Sequence, residues 1–122
     1  MKLKISEIID HGHDDERIIL NVLEDTYISN FIILDTTYNS SGKVSNKVRH
    51  PYLFPAKKVQ EGDLVILYTK EGTYHSIDNT DGSTSYFFYW GLDSNVWNND
   101  GDCALLLHVD DLEHHRVTIS KK

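Results

Sequence analysis

The chain has one cysteine, Cys103, in 122 residues, so it has no internal disulfide. A lone thiol fits a reducing compartment, and the expected location is the cytoplasm. Cys103 stands at the head of the apolar run Cys103-Ala104-Leu105-Leu106-Leu107 and reads as a small buried hydrophobe. Proline is nearly missing too: two prolines with seven glycines rule out collagen-like and Pro-rich linker behaviour. No apolar run approaches the roughly 18 residues that span a bilayer, so no membrane contact is expected. The opening Met1-Lys2-Leu3-Lys4-Ile5-Ser6-Glu7 is charged from its second residue and does not read as a secretory signal. Basic residues are short as well. Twelve Lys and Arg against 19 Asp and Glu give a formal charge of −7, which weighs against a protein built throughout for polyanions. There is no Gly-x-Ser-x-Gly and no glycine-rich phosphate loop ahead of a helix, so no enzyme and no cofactor is nominated.

What remains is an acidic, single domain over residues 1–122, and its pattern is that of strands. Glycines at 62, 72, 82, 91 and 101 fall about every ten residues. Most sit in polar clusters such as Glu61-Gly62-Asp63 and Asp81-Gly82-Ser83. Between them run short β-branched and aromatic stretches, the rhythm of a sandwich or barrel. The spacing predicts strands over 3–8, 16–23, 30–36, 64–69, 84–90, 104–109 and 116–120, with a short helix over 110–115 as the competing option. His50-Pro51 and Phe54-Pro55 bracket Tyr52-Leu53-Phe54. That segment reads as an edge or a loop laying aromatics on the core, because a residue before proline is pushed to an extended form and proline cannot donate to a ladder.

Several of these stretches, taken in order, resemble a known family. Lys4-Ile5-Ser6-Glu7-Ile8 precedes Glu16-Arg17-Ile18-Ile19-Leu20-Asn21; Ile28-Ser29-Asn30-Phe31-Ile32-Ile33-Leu34-Asp35 follows; then come Phe54-Pro55 and Glu61-Gly62-Asp63-Leu64-Val65-Ile66-Leu67. Trp90 and Val96-Trp97-Asn98-Asn99-Asp100-Gly101-Asp102-Cys103-Ala104-Leu105-Leu106 complete the set. This order resembles the lamin-tail domain, in a single-domain form of bacterial type, over roughly residues 3–110. The resemblance implies an immunoglobulin-like β-sandwich of about seven to nine strands with Greek-key connections. Phe31 stands where the family usually has Trp, and the stretch from Thr36 to Pro51 is longer than usual. In nuclear lamins the domain is an interaction module. In bacterial proteins it accompanies hydrolases as an accessory part.

Candidate functional residues follow from charge and chemistry. Thr36 to Gln60 holds no acidic side chain but carries Lys43, Lys47, Arg49, Lys57 and Lys58, a local +5 that leaves −12 for the rest of the −7 total. Such polarity attracts an anionic surface to one region. The expected function is a non-enzymatic module binding a protein partner through loops at one end of the sandwich, with Lys43, Lys47, Arg49, Tyr52, Lys57, Lys58 and Trp97 as the partner-binding set. Two alternatives stand beside it. One is nucleic-acid or anion contact through residues 43–58, with Tyr38, Tyr52 and Phe54 interleaved for stacking. The other is an accessory role to a metal-dependent hydrolase. His11-Gly12-His13 offers two imidazoles on one turn, but zinc wants three or four convergent ligands, and adjacent His114 and His115 would face opposite sides of a strand. Asp78-Asn79-Thr80-Asp81-Gly82 and Asn98-Asn99-Asp100-Gly101-Asp102 are oxygen-rich yet lack EF-hand spacing and read as turns. Sandwich edges also leave room for a homodimer by strand addition.

Overall fold

The computed structural model describes residues 1–38, 40–44, 47–97 and 101–119. Ten strands are present among them: β1 (Leu3–Ile9), β2 (Arg17–Val22), β3 (Thr26–Tyr27), β4 (Phe31–Thr37), β5 (Arg49–Leu53), β6 (Lys58–Val59), β7 (Leu64–Tyr68), β8 (His75–Asp78), β9 (Thr84–Tyr89) and β10 (Asp102–His108). A single 3-10 turn, Ile28–Asn30, leads into β4. The chain is an all-β sandwich. No helix among the described residues is long and apolar enough to cross a membrane.

One sheet has the order β1-β2-β7-β9-β8, a second β10-β4-β5, and β3 pairs with β6 alone. The alternation read along each run decides what is buried. Leu3, Ile18, Leu20, Val65, Leu67 and Phe88 of the first sheet share one core with Phe31 and Ile33 of the second. Most pairs are antiparallel, but β7 and β9 are parallel. A parallel pair cannot be joined by a tight hairpin, so the chain leaves β7, forms β8 at the sheet edge and returns to insert β9 between them.

The outer face of the first sheet carries a cross-strand ring ladder. Tyr68 stacks on Tyr89 at 5.1 Å between ring centroids and 8° between planes. His75 stacks on Phe87 at 4.7 Å. Arg17 and Lys70 lie over the Tyr68 ring at 5.6 and 5.2 Å, a cation–π closure of the ladder.

The structure corrects four expectations. The strand count exceeds seven to nine, because two-residue strands such as β3 and β6 are too short to show a period. β8 was not expected; His75–Asp78 is wholly exposed, and its single aliphatic residue, Ile77, makes no alternation to betray it. Residues 116–119 form no strand, and 110–115 no helix. Alternation is necessary for a strand but pairing makes one, and none of the described residues pairs with 116–119. Ser120 and the turn residues Asn98, Asn99 and Asp100 lie outside the described residues.

Candidate functional site

The site grows out of β4. Its apolar run ends in Asp35, which is buried although it is a carboxylate. A buried charge must be hydrogen-bonded. Asp35 Oδ1 lies 2.7 Å from His50 Nδ1, and Arg49 Nε stands 4.0 Å from Oδ2. Opposite, β5 is bulged: Tyr52 pairs with Ile33 and Arg49 with Asp35, so His50 and Pro51 together face Leu34. His50 takes φ +50 there, a left-handed value for a residue that also precedes proline. Such backbone is held only where its surroundings over-determine it, and the Asp35–His50 bond is that restraint. The result is a restrained His50 with the exposed Arg49 beside it at the mouth of the β4–β5 connection.

The same connection carries Lys43 and Lys47, both exposed. Tyr38 bridges to Val44 within it, and the Thr36 hydroxyl donates to the Lys47 carbonyl at 3.3 Å. The Tyr38 amide donates to the Gly101 carbonyl at 3.0 Å, tying the connection to the start of β10. Cys103 pairs with Thr36 across β4 and β10. Burial first, then the charges of Asp102 and Asp35, push its thiol above the ordinary range, the reverse of what a nucleophile needs.

Behind this end of the sandwich sits a second buried carboxylate. Glu16 is fully buried and accepts from the amides of Gly12 (2.8 Å), Val96 (2.9 Å) and Trp97 (3.2 Å). It clamps the β1–β2 turn to the segment ahead of β10. A third, Asp63, accepts from Gln60 and Thr84 at the opposite end. All three are acceptors for donors in their own fold.

No family model matches this chain, and no curated protein matches it.

The structure divides the expected partner-binding set. Lys43, Lys47 and Arg49 gather at the β4–β5 connection. Antiparallel pairing of β4 with β5 sends Lys57 and Lys58 to the other end. There Lys57 Nζ lies 5.3 Å over the Tyr86 ring and Lys58 pairs with Tyr27. Tyr52 packs against Phe54 and Trp90 with ring centroids 5.0 and 5.9 Å away. Trp97 is buried in the core, 5.7 Å from Trp90. Its Nε1 is the one buried side-chain polar atom among the described residues without a hydrogen-bond partner. His11 and His13 sit exposed on the β1–β2 turn, and no group of three or more metal-ligating side chains gathers among the described residues.

Asp35, His50 and Glu16 were not among the expected site residues. Two signals in the sequence point to them: a carboxylate closing an apolar run, as in Ile33-Leu34-Asp35, and one opening a run, as in Glu16-Arg17-Ile18. Both are candidates for burial with a dedicated partner.

Proposed function

We infer that the chain is a non-enzymatic binding module that takes an acidic protein surface at the β4–β5 end of the sandwich. The observation that carries this is the Asp35–His50 bond of 2.7 Å across a bulge with left-handed backbone. It restrains the backbone at the start of β5 and lowers the entropy cost of presenting Arg49 there. The likeness to lamin-tail domains, interaction modules in nuclear lamins, supports the same reading. So does the charge pattern, since a connection that carries Lys43, Lys47 and Arg49 and no acidic residue favours an acidic partner. The nucleic-acid alternative loses its stacking platform, because Phe54 is buried and Tyr52 packs against core rings. Only Tyr38 of the three remains exposed.

The test compares an acidic peptide and a single-stranded oligonucleotide of equal charge as probes, in low and moderate salt. The peptide should bind and lose affinity with salt. The combined Lys43→Glu, Lys47→Glu and Arg49→Glu variant, with unchanged circular dichroism, should not bind it. Retention of the oligonucleotide alone, or of neither probe, overturns the reading.

A further inference from the structure

Among the described residues, β10 is an unguarded edge. The two larger sheets end on β1, β8, β10 and β5. Exposed edges invite another strand unless charge, proline, a bulge or brevity blunts them. β1 has a register shift between Ile5 and Glu7 and carries Lys4. β5 has its bulge, Arg49 and Pro51. β8 is four residues long and ends in Asp78. β10 has none of these over Cys103–Leu107, and it runs in unbroken register with β4 for seven pairs. Its outer side chains Cys103, Leu105 and Leu107 continue an apolar face with Ile32 and Leu34 of β4 and Leu53 of β5. On that face Leu53 is 58% and Leu107 40% exposed.

The chain that follows β10 has the opposite defect. In Arg116-Val117-Thr118-Ile119 polar and apolar residues alternate as in a one-sided strand, yet this stretch pairs with nothing among the described residues. Leu112, Val117 and Ile119 are 70%, 81% and 85% exposed. Among the described residues, then, one edge lacks a strand and one strand-patterned stretch lacks an edge.

Its own geometry steers the two apart. The Val109 amide donates to the Asn30 carbonyl at 2.7 Å, which holds the chain against the start of β4. Residues 109–112 then line a groove of about 410 Å³ with Ile32, Leu53 and Phe54. The tail thus leaves across β4 toward β5, away from the free side of β10.

We propose that the chain self-associates by reciprocal strand donation: Arg116–Ile119 of one copy adds to the free edge of β10 in a second copy. Val117 and Ile119 then lie beside Leu105 and Leu107, and a two-fold axis lets each copy give and receive. The occupant of the edge is a second copy because this chain itself carries the unsatisfied strand.

Sedimentation of the full chain across a concentration series tests this. The expected result is a dimer. Two full-length variants, each at exposed positions, disable one half of the exchange: Val117→Asp with Ile119→Asp removes the donor, and Leu107→Lys guards the acceptor. Each alone should weaken association by about tenfold or more at unchanged circular dichroism. Mixing the two should restore a heterodimer, because one retains the edge and the other the strand. A full chain that stays monomeric, a dimer indifferent to both variants, or a mixture that fails to pair overturns the proposal. Charge reversal at Lys43, Lys47 and Arg49 should leave the dimer intact, which separates this result from the binding function proposed above.

Discussion

Glu16 Oε1 accepts the Val96 amide at 2.9 Å, joining residues 80 positions apart in the chain. With the Gly12 and Trp97 amides on Oε2, one carboxylate closes an end of the sandwich. Glu16→Gln keeps the shape but replaces one acceptor oxygen with a donor. It leaves at least one buried N–H facing another, and each charge-assisted bond contributes about 1.5–3 kcal/mol. The expected loss is about 2–4 kcal/mol, read as a lower urea midpoint with an unchanged slope. A midpoint equal to the parent's would show that the clamp contributes nothing.

Gly72 has no left-handed backbone, and its need for glycine is spatial: a Cβ there would overlap the ring of Tyr89. Gly72→Ala should push Tyr89 off Tyr68, lower stability by about 1–3 kcal/mol and alter the near-ultraviolet circular dichroism. Adding Tyr89→Ala should recover part of the loss, because the two changes share one contact and are non-additive.

Asp35→Asn removes the charge that restrains His50. The expected outcome is faster amide hydrogen exchange over Arg49–Leu53, by about tenfold or more, with exchange in β7 unchanged. Equal protection in both proteins would mean that the bulge holds without the carboxylate.

Cys103 should react slowly. Burial and the neighbouring carboxylates hold its thiol above the ordinary value of 9.0, so little thiolate exists near neutrality. Alkylation by iodoacetamide should lag behind a free cysteine peptide and approach it only in denaturant or strong alkali. Fast modification at pH 7 would contradict the packing around β10.

Burial also pushes the Tyr52 phenol above its ordinary 10.0. Folded chain then holds this proton more tightly than unfolded chain. The stabilisation is complete below pH 10 and is lost as pH rises through the folded value. Stability of the native protein should therefore fall above about pH 10, and Tyr52→Phe should flatten that fall. Parallel slopes in urea titrations of the two proteins would sink the assignment.

Much of the fold is legible in the sequence. β1, β2, β4, β7, β9 and β10 match the expected runs to within a residue or two, because alternation along a strand is a local property that burial of one face imposes. The Pro51 segment was expected at an edge or in a loop, and β5 is an edge, where a missing N–H is tolerated. Positive φ at Gly62, Gly82 and Gly101 follows from the turn chemistry around each.

The sequence by itself determined an all-β chain, a core drawn from alternating apolar positions, and a cationic stretch between Thr36 and Gln60. Tertiary structure alone decided that this stretch is cut in two, with Lys43, Lys47 and Arg49 at one end and Lys57 and Lys58 at the other. It alone put Trp97 in the core rather than on the partner-binding surface. It alone found His50 for Asp35 and three amides for Glu16, and, among the described residues, left one side of β10 and all of 116–119 unpaired. The physical reason is range: periodicity and turn preference act over a few residues, whereas a buried charge finds its donors, and an edge its strand, only once the sheets have been assembled from distant parts of the chain.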